Sequence, residues 1–161
     1  MAIVAAVTVT LREVTETNLD SVLKVHTTSS QERFVSTVAD SIAEAAANPH
    51  ANPWYRAIYV NRDPVGFVML SWDVPPQPPH IIGPWFLWKL LIDSRYQRLG
   101  YGQEALRLVV ELVRAQGATE LLTSYVPGVG GPADFYARLG FVPRGDVDPD
   151  GEIVMRLDLA R

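Results

Sequence analysis

The chain has 161 residues, of which 48% are hydrophobic, 20% charged and 9% aromatic, a composition that builds one globular domain and excludes a disordered tail or a fibre. Against 18 Asp and Glu there are 14 Lys and Arg, for a net charge of -4 and an isoelectric point near 5.3. No broad basic surface is therefore available to neutralise phosphates, which excludes duplex nucleic acid as an expected partner. There is no cysteine, so disulfides, thiolate nucleophiles, iron–sulfur clusters and thiol-bound zinc are all excluded.

Met1–Val7 is apolar but carries no basic leader, so a signal peptide is not expected. No apolar run approaches the roughly 20 residues a membrane helix requires, and the expected place is the cytoplasm with no membrane partner. Val7, Val9 and Leu11 alternate with Thr8, Thr10 and Arg12, which predicts an opening strand. Leu19, Val22, Leu23 and His26 then share a helical face behind a Thr17 cap. Phe34, Val38, Ile42 and Ala45 share another, up to the breaker Asn48-Pro49. Trp54–Val60 and Val65–Trp72 read as two strands joined by the polar turn Asn61–Pro64, hence an antiparallel hairpin.

Val74–Pro84 holds five of the 12 prolines and is expected as a stiff, irregular surface loop. Trp85–Ile92 is apolar apart from Lys89, the pattern of a central strand covered on both faces. Gln103–Gln116 is the clearest helix, with Ala105, Leu108, Val109, Leu112 and Val113 as its inner stripe and Gly117 after its end. Glu120–Tyr125 reads as a strand, Pro132–Leu139 as a short helix, and Ile153–Leu159 as a closing strand, with room for one more from Phe141. The order predicts an α/β fold of the α+β kind: one domain over 1–161, core about 7–159, with a mixed sheet and helices on both faces.

Leu90–Gln103 carries the chemistry. A buried strand leaves the sheet, crosses a polar loop and enters a helix through Gly100 and Gly102. Free N–H groups of the first helical turn, the helix dipole and two positions without a Cβ make such a junction an anion site, with Arg95 and Arg98 adding charge. Gly100–Ala105 and Gly128–Ala133 both match the dinucleotide string G-x-G-x-x-A. The long loop from Asp93 and the acid Glu120, which begins the next strand instead of ending it, rank a nicotinamide enzyme low.

Gln97-Arg-Leu-Gly-Tyr-Gly102 resembles the acyl-CoA signature Q/R-x-x-G-x-G/A of the GNAT superfamily of N-acetyltransferases, and the likeness extends over nearly the whole chain from Val7. Asp134-Phe-Tyr-Ala-Arg-Leu-Gly-Phe141 is similar to the family's second short motif. Ala57–Tyr59, Pro64–Leu70, Leu87–Asp93, Arg95–Gln97 and Asp150–Met155 look like bacterial spermine/spermidine (diamine) N-acetyltransferases. The resemblance implies that the mixed sheet is mostly antiparallel, and it implies acetyl-CoA as cosubstrate, bound by Gln97, Arg98, Leu99, Gly100, Tyr101, Gly102 and Gln103. It further implies that the central strand splays so that Leu91 and Ile92 hold the pantetheine arm, and that Tyr136 is the general acid. One departure touches pantetheine binding: Gly130 stands where many relatives carry asparagine.

Direct attack by an amine needs no protein nucleophile, which suits a chain without cysteine or a G-x-S-x-G elbow. An alkylamine is almost wholly ammonium at neutral pH, so its binding needs a carboxylate and its reaction a proton acceptor. Glu44, Asp73 and Asp134 are the candidates, with Trp54, Trp72, Trp85 and Trp88 as alternatives for cation–π contact or for core. His26, His50 and His80 lack metal-ligand spacing, and no metal is expected. The expected activity is acetyl transfer to a primary amine of a small, polyamine-like acceptor. The alternatives are an antibiotic or protein amine as acceptor, and a non-catalytic acyl-CoA sensor on the same fold. Homodimers are frequent in the family, and the resemblance extends that expectation to this chain.

Overall fold

A computed structural model describes residues 7–160. All but Val7 of the stretch read as lacking a signal peptide lies outside the described residues. The described residues form β1 (Val9–Arg12), α1 (Leu19–Leu23), α2 (Val38–Ala47), β2 (Pro53–Val60), β3 (Asp63–Ser71), β4 (Phe86–Ile92), α3 (Tyr101–Ala115), β5 (Glu120–Tyr125), α4 (Ala133–Arg138), β6 (Val142–Val147) and β7 (Ile153–Asp158). The strands lie in one sheet in the order β1-β2-β3-β4-β5-β7-β6. Every pairing is antiparallel except β4 with β5. No helix among the described residues is long and apolar enough to cross a membrane.

Two apolar clusters cover the two faces. One joins α3 and α4 to the sheet through Ala105, Leu106, Val109, Val113 and Tyr136, packed with Ile58, Val68, Leu87 and Leu121. The other joins α1 and α2 through Val22, Val38 and Ala45, packed with Ala57, Phe67, Met69 and Leu91. Burying a side chain such as Phe67 or Leu87 stabilises the fold by about 1.5–3 kcal/mol each, and both are essentially inaccessible to solvent.

Several expectations shift. α1 starts after Asn18, not behind a Thr17 cap, because the Asn18 side chain closes the preceding turn by accepting from the Thr15 N–H at 2.7 Å. His26 lies beyond its end. α2 begins at Thr37, whose hydroxyl accepts from the Asp40 N–H at 3.1 Å, so this cap, and not Phe34, sets the helix start. The inner stripe of α3 is turned slightly: Leu106 is buried and Leu112 exposed. Outside it, Arg107 bridges Glu104 and Glu111. The hairpin turn tightens to Asn61-Arg62, with Val60 paired to Asp63. The proline-rich segment is not simply superficial, since Val74 and Ile81 are buried within it.

β4 is central but not covered along its length: only Leu87 and Leu91 are buried. The physical reason is a split in the sheet. β4 pairs with β5 only at Phe86–Leu122 and Leu87–Thr123, where the Thr123 hydroxyl donates to the Leu87 carbonyl at 2.9 Å. Beyond that point the strands part. On its other edge the register places Met69 opposite Lys89 and Leu70 opposite Leu87, so Trp88 is an extra residue on β4 and bends the strand.

Candidate active site

The split opens into a cleft of about 1630 Å³ that runs from the Gln97–Gln103 loop, along Trp88–Ile92 of β4, to Asp148–Glu152. At one end, β4 passes through a short turn at Ser94–Tyr96 into α3. Gly100 caps that helix at φ +83° with no side-chain cap, and the first helical hydrogen bond runs from Glu104 N to the Gly100 carbonyl at 3.1 Å. The N–H groups of Tyr101, Gly102 and Gln103 therefore precede the helical ladder and are available to an anion, as is the positive end of the helix dipole.

The two glycines serve different ends. Gly100 needs its left-handed backbone, and a Cβ there would meet open space; a Cβ on Gly102 would meet Ile92 at 3.4 Å and the Phe135 ring at 3.5 Å. The loop thus has room for a phosphate against main chain, and its donor set fits the diphosphate of an acyl carrier.

Side chains fix the loop from behind. Gln97 donates to the Ile92 carbonyl at 2.9 Å and exchanges amide hydrogen bonds with Gln31 at 2.7 and 3.0 Å. Its side chain is thereby committed to the protein, and only its backbone is left for a ligand. Asp93 is buried and accepts from the N–H groups of His26 and Arg95 and from the Arg95 guanidinium at 2.9 Å. Burial opposes ionisation of this carboxyl, but Arg95 and the two backbone donors outweigh it and hold it below the usual carboxylate range. The charge of Arg95 is spent on Asp93, so of the two arginines only Arg98 lines the cleft. Leu91, Ile92, Gly100, Tyr101, Gly102 and Gln103 also line it, whereas the exposed Leu99 side chain does not.

Tyr136 is 7% exposed, on the inner side of α4, between the rings of Phe135 at 5.3 Å and Phe141 at 5.4 Å. Burial pushes its phenol up to about 12, Thr123 opposes this, and the Glu152 carboxylate adds to it. The group is a buried hydroxyl that keeps its proton throughout the neutral range. Gly130, at φ +82°, lines the cleft beside Gly131 with open space where a side chain would stand.

The opposite end is built from side chains. Glu44 lines it and pairs with Lys89 at 3.2 Å; Asp73 and the exposed Asp134 are not part of the lining. The carboxylates the sequence reading missed are Asp148, Asp150 and Glu152, whose oxygens lie within 4.8 Å of one another. Burial, then Asp148, raises the Glu152 carboxyl above its usual value, while the Ser124 hydroxyl, donating at 3.3 Å, and Lys89 work against the rise. The signal was the acid-dense turn Asp148-Pro-Asp-Gly-Glu152 before the last strand. Of the four tryptophans only Trp88 lines the cleft; Trp72 packs between Trp54, tilted at 5.1 Å, and Trp85, edge-on at 4.9 Å. His50, His80 and Ile81 complete the wall, so the proline-rich loop borders this end.

The site thus combines a split sheet, an amide-lined strand–loop–helix junction and a buried tyrosine. The family model described as the acetyltransferase (GNAT) family matches residues 15–141, and the chain belongs to that family; it is an acetyltransferase. It is similar to the spermine/spermidine N(1)-acetyltransferase of Bacillus subtilis (strain 168), with 24% identity over 152 residues that cover 94% of this chain and 99% of the relative. Its fold matches that of the PaiA N-acetyltransferase from Thermoplasma acidophilum in complex with coenzyme A (TM-score 0.63, 14% identity, 94% of this chain and 99% of that one). It also matches the aminoglycoside acetyltransferase AAC(6')-Ib in complex with coenzyme A (TM-score 0.72, 20% identity, 94% and 95%).

Proposed function

We propose that the protein transfers the acetyl group of acetyl-CoA to a primary amine of a small cationic acceptor, a polyamine being the class that the name of the Bacillus subtilis relative brings forward. The observation that carries this reading is Tyr136, a buried phenol held protonated in the wall of a cleft with main-chain donors at one end and carboxylates at the other. The N–H groups of Tyr101, Gly102 and Gln103, with Arg98, hold the diphosphate, and the unpaired edge of β4 from Trp88 to Ile92 offers backbone groups to the pantetheine arm.

The chemistry is a direct displacement. The amine nitrogen forms a bond to the thioester carbonyl carbon, the carbonyl electrons move onto oxygen, and their return expels sulfur. Tyr136 gives its proton to the departing thiolate. The amine must surrender protons before and during attack. Glu152, whose raised affinity for a proton makes it a better acceptor than an ordinary glutamate, takes the first directly or through water. The second leaves the tetrahedral adduct through water, and Tyr136 regains from solvent the proton it gave to sulfur, for a net release of one proton per turnover. A neutral-pH ammonium is drawn to this end by Glu152 and its neighbours Asp148 and Asp150.

The test is thiol release from acetyl-CoA with a panel of alkylamines, polyamines and an aminoglycoside. Amine-dependent release, fastest with the small cationic amines, is expected. Binding of CoA with no amine-dependent release would instead leave a non-catalytic acyl-CoA-binding module.

A further inference from the structure

Lys89 is the one charged residue of the otherwise apolar β4, and its side chain is only 13% exposed. It stands next to the extra residue Trp88, on the face toward α2, and its ammonium reaches into the cleft wall. There it donates to the Ser36 hydroxyl at 2.9 Å and pairs with the Glu44 carboxylate at 3.2 Å. Ser36, Glu44 and Lys89 all line the cleft, and the Lys89 charge is also felt by Glu152. The ammonium therefore lies within electrostatic range of carboxylates on both sides of this end.

An ammonium held in this way satisfies Glu44 from within the protein. A second ammonium arriving on an acceptor would have to share Glu44 with Lys89, displace it or sit beside it. Each carries a like-charge cost in a partly desolvated cleft, where a unit charge acts far more strongly than in open water.

We propose that Lys89 is a specificity-determining residue: it occupies the cation position at Glu44, so that the enzyme favours acceptors whose reacting amine is their only nearby positive charge and discriminates against long polyamines. This rests on the acceptor reading given above. It keeps the small cationic amine of that reading but departs from its polyamine class, toward short, singly charged amines, and assigns Glu44 to Lys89 instead of to the substrate. Asp148, Asp150 and Glu152 are left to receive the amine that reacts.

The experiment compares n-butylamine with spermidine at fixed low ionic strength. Affinities are measured by calorimetry on the CoA-loaded protein and kcat/KM by thiol release, for the wild type, Lys89→Met and Lys89→Arg. Lys89→Met is expected to raise the spermidine-to-butylamine ratio by about tenfold, less at high salt. Lys89→Arg, which keeps the charge, is expected to retain the wild-type ratio. Glu44→Gln, which leaves the Lys89 charge uncompensated, is expected to lower the ratio and carries the test if Lys89→Met does not fold. An unchanged ratio in Lys89→Met, or an equal rise in Lys89→Arg, overturns the proposal, since the lysine would then only tie α2 to the sheet. Absence of binding by either amine overturns it as well. Affinities that shift as expected without any acetylation would uphold Lys89's role and refute the transferase reading instead.

Discussion

The two ends of the cleft are made of different material. At the loop between β4 and α3 the groups open to the cleft are main-chain amides, and the side chains nearby, Gln97, Gln31, Asp93 and Arg95, are turned inward to hold that main chain in place. At the far end the backbone is only a support, and what lines the cleft is a set of carboxylates with one lysine among them. A backbone site is fixed by the fold and changes little as side chains drift; a side-chain site can be rewritten one residue at a time. Tyr136 stands where the two meet, and it gives the largest expected effect. In Tyr136→Phe, kcat for any accepted amine should fall by roughly a hundredfold or more, the range general-acid catalysis supplies. CoA affinity, measured by calorimetry, should move much less. A loss confined to KM would place the phenol in binding and not in proton transfer.

The backbone end is probed next. Gly100→Asp puts a negative charge where the diphosphate is proposed to lie, at a position whose φ of +83° is left-handed and where a Cβ meets nothing. Asp and Asn tolerate that conformation better than most residues. The fold should survive, and CoA affinity should fall by roughly ten- to a hundredfold, from one like-charge contact plus modest strain. Gly100→Asn carries the same shape without the charge and should lose distinctly less. Equal losses would mean that the conformation of the loop matters and its field does not.

This contrast also explains what could be read from the sequence. The loop was legible because Gly100 and Gly102 are the local trace of a backbone conformation, and the strand before them and helix after them are strongly periodic. The order of elements along the chain was legible for the same reason, with room left for the strand after Phe141. The splay of β4 from β5 was expected only through the family likeness; the bulge at Trp88 left no local mark, because Lys89 in an apolar run reads as an interruption and not as a side chain aimed into a cleft. The carboxylate end was illegible in principle. Glu44, Lys89 and Glu152 come from α2, β4 and the turn before β7, and only the folded sheet brings them to one cavity. Of the three acids singled out from sequence, Glu44 lines the cleft in a pair with Lys89, and Asp73 and Asp134 are not part of its lining.

Glu152 tests the side-chain end. Its carboxyl is raised above the usual glutamate value, chiefly by burial. As pH falls through that raised value the carboxylate is neutralised, so kcat/KM for a cationic amine should decline on the acid side at a higher pH than an ordinary glutamate would produce. Glu152→Gln should lower kcat/KM by about tenfold at neutral pH and remove that decline. The linkage has a definite sign. A carboxyl that binds its proton more tightly folded than unfolded contributes stability when protonated, and that contribution is lost as pH rises through its folded value. At neutral pH the buried charge is a cost, so Glu152→Gln should raise Tm slightly while it lowers activity. A fall in both would point to a structural role beside Ser124.

The smallest effect is expected at Asp134 and Asp73, and its smallness is informative. Asp134 lies in the first turn of α4, two residues before Tyr136, but the helix turns it to solvent while Tyr136 faces the sheet. Asp73 follows β3 in a left-handed conformation, φ +51°, at the entrance to the proline-rich loop and off the cleft wall. Asn keeps the shape and the backbone tolerance of each while removing its charge. Exposed charges away from a site act through a screened field that is weak beyond about 10 Å at ordinary salt. Asp134→Asn and Asp73→Asn should therefore change kcat/KM for a cationic amine by less than about twofold, well short of the loss in Glu152→Gln. If either matched that loss, recognition of the amine would have to extend beyond the cleft to its outer surface, and the division into a backbone end and a side-chain end would no longer describe where selectivity is set.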